Sequence, residues 1–172
     1  HETQFEKYTE GSRNVEDVFH TVFHTYQKKW DDELGTVKPE HVFEDALTAE
    51  KLFPEKKKII HFMQPHVPFI ESNLADGFTQ YPGKENDGGK DSAIHLADKG
   101  EIEEETIWQA YRKNLKVVMP KAEELVKELD GKTVITADHG NLIGENGRYG
   151  HFFDSNALNL RKVPWDIRKS SK

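Results

Sequence analysis

Asp138, His139 and Gly140 close an apolar run, TVITADHG, and are the residues of this chain best placed for chemistry. A carboxylate beside an imidazole suits a divalent cation, with Zn²⁺, Mn²⁺ or Ca²⁺ selected by the remaining ligands. Gly140, lacking a Cβ, permits a tight backbone turn near a bound anion. Asp and His are also common turn residues, so the tripeptide alone leaves an ordinary loop as the alternative. The chain contains no cysteine, which excludes disulfides, thiolate ligands and a cysteine nucleophile within it. Any metal must be held by Asp, Glu, His or Asn.

Such residues need rigid elements behind them. Residues 133–137 read as a buried strand that delivers Asp138 and His139 at its C-terminal end. Residues 58–63, KIIHFM, read as a second buried strand, followed by the proline-rich loop Gln64-Pro65-His66-Val67-Pro68. Both strands end in histidine-bearing loops, and ligands in α/β sheets bind beyond the carboxyl ends of strands, so the two loops could face one crevice. Residues 163–167 suggest a last, edge strand because of Pro164. Helices fill the spaces between. Val15, Val18, Phe19, Val22, Phe23, Tyr26 and Trp30 make one apolar stripe, predicting a helix over 15–34 capped by Asn14 and ended by Gly35. Pro39 and Pro54 bracket a second helix over 39–52. Two more are expected over 102–118 and, after Pro120, up to Leu129. Residues 1–13 read as a polar lead-in, and 71–100 as a long loop or lid. The order of elements predicts an α/β domain: a mixed or mostly parallel sheet flanked by helices.

Composition narrows the function classes. Of 172 residues, 35% are hydrophobic and 32% charged, a foldable balance for one domain. Net charge is −7 and the pI near 5.7, which argues against a nucleic-acid binder. No apolar run approaches a membrane span, and no secretory signal is visible, which favours a cytoplasmic location. His1 in place of Met suggests that the natural start lies upstream.

The stretch VITADHGNLIGENGRYGH resembles the metal-loop pattern of sulfatase-like members of the alkaline phosphatase superfamily. IIHFMQPHVPF is similar to that family's PHxPF loop, WQAYRKNL precedes the second strand as expected, and LRKVPW is similar to the strand after the metal loop. These agreements occur in the right order over residues 57–167, with 71–100 unmatched. The resemblance implies an alkaline-phosphatase-like sheet and one divalent metal (Ca, Mn, Zn or Mg) held by Asp138 and His139. It implies that His66 contacts the transferred group or the leaving oxygen. His151 falls where many sulfatases place a lysine, leaving phosphate open beside sulfate; a histidine there can donate to an anion or act as acid or base. Phe62 occupies a position where two-metal relatives carry Asp, so the pattern is closer to one-metal relatives such as lipoteichoic acid synthase.

Nothing in residues 1–57 resembles the family's strand ending in a metal-binding Asp and followed by a Ser, Thr or formylglycine nucleophile. The sequence therefore reads as the C-terminal part of such a domain, a hydrolase or transferase of sulfate or phosphate esters, with a polysaccharide- or glycan-linked ester as substrate class. The alternative is a non-catalytic module that binds an anion or glycan. An incomplete sheet would leave an exposed edge that invites dimerisation.

The other polar residues carry ordinary expectations. His20 and His24 lie off the apolar stripe and read as surface residues, and His61 as packed in the core. His41 and His95 lack context, though His95, within the long loop, could reach the site. The acidic run over 101–105 suits a helix start. Trp108 and Tyr111 read as core. Asn114 is either buried against the crevice or exposed, and Glu145 either orients His139 or caps a local turn.

Overall fold

The computed structural model describes residues 13–72, 74, 91–152 and 155–169. The polar lead-in and most of the expected loop over 71–100 lie outside these described residues. One helix organises the rest. α5, Glu104–Glu128, is 25 residues long and buries Ile107, Ala110, Asn114, Val118 and Leu125 along one stripe. Its N-terminal half packs on a cluster of Val67, Phe69, Ala93, Ala97, Ile107, Ala110 and Ile143. Its C-terminal half packs, through Leu125 and the capping residue Leu129, on Ala46 of α3 (Pro39–Leu52). Ile107, Phe69 and Ile143 are 0–2% exposed, each contributing about 1.5–3 kcal/mol by burial.

The break expected at Pro120 does not occur: α5 runs through it. A proline inside a helix forfeits one backbone hydrogen bond. The stripes on either side of Pro120 stay in phase, so tertiary burial offsets that loss.

α3, Pro39–Leu52, occupies the range read from the prolines. The helix expected over 15–34 does not form. Instead α1 covers Val15–Val18, α2 covers Thr25–Lys29, and β1 (Trp30–Asp31) pairs with β2 (Thr36–Val37) across a turn. Between the helices lie aromatic and β-branched residues of poor helix propensity, Phe19 to His24. Val18, Phe19 and Phe23 are 48%, 40% and 37% exposed, so the stripe has little to pack on. Gly35, at φ 63°, serves the β1–β2 turn rather than a helix end.

The sheet differs from expectation. Among the described residues the strands form three separate antiparallel pairs: β1 with β2, β3 (Lys132–Thr136) with β6 (Trp165–Lys169), and β4 (Leu142–Ile143) with β5 (Tyr149–Gly150). β6 returns to β3 without the crossover helix that a parallel neighbour requires. Residues 58–63 join no ladder among the described residues. Ile60 and Phe62 pack beside Ala46 and Leu125, whereas Ile59 is 81% exposed. His61 falls on the outer face of this alternation and is exposed, not packed in the core as expected. The remaining helices are α4 (Ala93–Asp98) and α6 (Leu158–Arg161). No helix among the described residues is long and apolar enough to cross a membrane.

Candidate metal and anion site

Two loops distant in sequence meet beside α5. The first carries His66 and is fastened on both sides. Gln64, buried, donates from Nε2 to the Val37 carbonyl at 3.0 Å. Asn114 of α5, wholly buried, donates from Nδ2 to the carbonyls of His66 at 2.9 Å and Pro68 at 3.3 Å, and its Oδ1 accepts from the Ile70 amide at 3.1 Å. This resolves Asn114 in favour of burial: it is the clamp that ties the His66 loop to the helix. Its place on an otherwise apolar stripe was the signal, since a buried polar residue must find partners.

The second loop follows β3, as the sequence implies. The Asp138 carboxylate accepts from the His139 amide at 2.9 Å. Gly140 is essential for contact, not for a special turn. Its amide donates to the Leu160 carbonyl at 3.0 Å, and a Cβ there would collide with the carbonyl oxygen of Asn159. Glu145 caps its own turn, accepting from the Ile143 amide at 2.5 Å and from Asn159 Nδ2 at 2.9 Å, rather than orienting His139. Burial raises the Glu145 carboxyl pKa, but these donors outweigh it and hold the pKa below the usual range.

All four residues singled out by sequence come together. The His139 and His151 rings lie 4.2 Å apart between centroids, and the His66 and His151 rings 5.6 Å. His139 Nε2 stands 3.6 Å from Asp138 Oδ2. Two donors 2.0–2.2 Å from one tetrahedral cation are separated by about 3.4 Å, so this pair has the spacing of adjacent ligands.

Each ring is held at Nδ1. His66 donates to the Val67 carbonyl at 2.7 Å and His139 to the Gly140 carbonyl at 2.8 Å. A carbonyl only accepts, so in both rings Nδ1 carries the proton and Nε2 keeps its lone pair. His151 Nδ1 lies 2.9 Å from Asn141 Oδ1, which fixes it in the same sense. Burial, then the neighbouring histidines, push the His151 pKa below its ordinary value. Burial likewise lowers that of His66, although its bond to Val67 opposes the shift. Both rings are therefore neutral at neutral pH, the form that binds metal or accepts a proton.

Among the described residues, no three His, Asp or Glu side chains already close around one point as a finished metal cage. The pair Asp138–His139 offers two donors; further ligands would come from water, an anion or other groups. No hydroxyl is hydrogen-bonded to any of the three rings among the described residues, so none is poised as a nucleophile there.

Of the other histidines, His24 is half-buried and pairs with Glu16 at 3.1 Å, rather than standing free on the surface. His20 packs edge-on to Phe53. His95, which the long loop could bring to the site, lines a cleft beside His66 and His151. Set against family models, curated proteins and solved structures, the chain matches none of them.

Proposed function

We propose that this cluster serves the metal-dependent hydrolysis or transfer of phosphate or sulfate esters, as part of a sulfatase-like domain with one divalent cation. The observation that supports the reading is the meeting of two loops: three imidazoles, each anchored at Nδ1, beside a carboxylate at ligand spacing from one of them. Such anchoring by a backbone or amide oxygen is the usual companion of a metal-ligating or proton-transferring histidine.

Asp138 and His139 would hold the cation. An imidazole with a carboxylate favours Zn²⁺ or Mn²⁺ over the all-oxygen preference of Ca²⁺ and Mg²⁺. When bound, it would supply a Lewis acid against the oxygens of the ester. His66 and His151 face the same space with Nδ1 occupied, so any proton they exchange passes through Nε2. His66 is the more enclosed of the two and suits the leaving oxygen; His151, exposed, suits the anion's outer oxygens.

Titration calorimetry of the chain with ZnCl₂ and MnCl₂ tests this reading. One bound cation is expected. Asp138→Ala and His139→Ala each weaken it by more than the roughly 10–100-fold that outer partners cost. Uptake unchanged in both variants would count against the assignment. That no hydroxyl among the described residues is hydrogen-bonded to the rings favours a second reading, a module that binds the anion without turnover. Release of nitrophenol from para-nitrophenyl phosphate or sulfate by the metal-loaded chain separates the two.

A further inference from the structure

His151 differs from its two neighbouring imidazoles in what holds its Nδ1. The partners of His66 and His139 are the backbone carbonyls of Val67 and Gly140, at 2.7 and 2.8 Å. A carbonyl accepts and never donates, and these two belong to the next residue along, so neither can turn without moving the chain. Both rings are locked with a proton on Nδ1 and a lone pair on Nε2. The partner of His151 is a side-chain amide, that of Asn141, whose Oδ1 stands 2.9 Å from Nδ1. An amide carries an acceptor at one corner and a donor at the other. We propose that Asn141 is a positioning residue with two settings. A half-turn of its amide converts His151 from a ring with a lone pair at Nε2 into one with an N–H there. His151 is then the neutral ring of the cluster that can donate a hydrogen bond to a bound oxyanion. The proposal rests on the reading of the cluster as an anion site.

Three observations carry it. The first is that the turn costs no other bond. Among the described residues Asn141 Nδ2 has no hydrogen-bond partner, so the amide exchanges one bond to His151 for another. The second is room. Asn141 borders two clefts, one shared with His66 and His95 and the other with Trp108 and Lys162, so open space adjoins it on both sides. The third is access for the proton. His151 is exposed, so water can take the proton from Nδ1 and return one to Nε2. The ring loses one proton and gains one, and its net charge is unchanged.

The asymmetry divides the work of the three rings. A neutral imidazole with a lone pair at Nε2 repels an anionic oxygen; it can take a proton or bind a cation. That is the only neutral form open to His66 and His139. A carboxylate in place of Asn141 would only accept, and would lock His151 in the same form. The amide leaves the second form open, so the anion draws its imidazole hydrogen bond from His151.

Nitrogen NMR of isotope-labelled histidine rings in the zinc-loaded chain tests this at about pH 8, where the rings are neutral. Inorganic phosphate is the probe. Without phosphate, His66, His139 and His151 are each expected to carry the proton on Nδ1. With phosphate, His151 alone moves its proton to Nε2. Asn141→Asp, of the same size but accepting only, holds His151 at Nδ1 in both conditions. Phosphate then binds about tenfold more weakly, the worth of one hydrogen bond to a charged group. A His151 that keeps its proton on Nδ1 while calorimetry shows phosphate bound overturns the proposal. So does a switch at His66 or His139, or an Asn141→Asp chain in which His151 switches as before. If phosphate neither binds nor shifts any ring, the anion-site reading fails and the assignment of Asn141 with it. A thermal melt checks that Asn141→Asp is folded, and the spectra of the unmodified chain decide the proposal without it.

Discussion

The three histidines and Asp138 are arranged so that protonation competes with structure. His66 and His151 have lowered pKa values in the folded chain, burial being the main cause. Each is near its ordinary value of 6.5 when unfolded. The unfolded chain therefore binds more protons just below that pH, and folding stability must fall as pH drops. The metal-free chain is expected to be fully stable above about pH 6.5 and to lose stability progressively below it. Urea midpoints measured at descending pH check this, and His66→Gln should flatten the curve; an identical pH dependence in that variant would refute the linkage. Gly140 offers a sharper residue-scale test. Gly140→Ala drives a Cβ into the Asn159 carbonyl, and overpacking of this kind costs about 1–3 kcal/mol. A lower melting temperature together with weaker metal uptake is expected, because the same backbone carries His139.

At the scale of elements, α5 is both the longest helix and the part that positions His66. Asn114 holds three backbone groups of the His66 loop while wholly buried. Asn114→Leu preserves volume but orphans those groups, costing at least the roughly 1–3 kcal/mol of one unsatisfied buried group. It should also loosen the loop and weaken anion binding, whereas Leu115→Ala, one residue away and 39% exposed, should do neither. Calorimetry and melts on both variants decide it. Pro120 predicts the opposite sign. Pro120→Ala restores a backbone donor inside α5 and should stabilise the chain by about 1–2 kcal/mol, read as a higher urea midpoint.

These elements also show what a sequence reveals. α3 was legible because Pro39 and Pro54 bracket it, and the Asp138 loop because an apolar run ends abruptly in polar residues. That the His66 and His139 loops could face one crevice was anticipated because each follows an apolar run, although the run over 58–63 forms no strand among the described residues. Three features were not legible. The stripe over 15–34 has helical periodicity, yet its apolar side chains find no core, and periodicity alone cannot report what lies opposite. α5 passes Pro120 because of tertiary burial, which local propensity does not contain. Strand partners are chosen by contacts distant in sequence, so the antiparallel pairing of β3 with β6 could not be read from either strand. His95 was legible only as a loop residue that could reach the site: its stretch reads as a loop by composition, and it is the packing of α4 beside β5 that brings it to the cleft.

For the whole molecule, the consequence of this pairing is an open ribbon. β3 and β6 share a five-residue ladder, and among the described residues neither strand has a second neighbour. Trp165 and Ile167 of β6 are 69% and 52% exposed. Unpaired backbone edges beside exposed apolar side chains are templates for another strand. We therefore expect reversible self-association through this ribbon. The acidic net charge of −7 opposes it without preventing it. Sedimentation velocity should show the average mass rising with concentration, and rising further in added salt, which screens the repulsion. Trp165→Lys places a charge on the edge and should hold the chain monomeric without altering zinc uptake, since Trp165 sits opposite Thr136 and outside the histidine cluster. A wild-type chain that stays monomeric at every concentration and salt level would mean that the ribbon is covered from within.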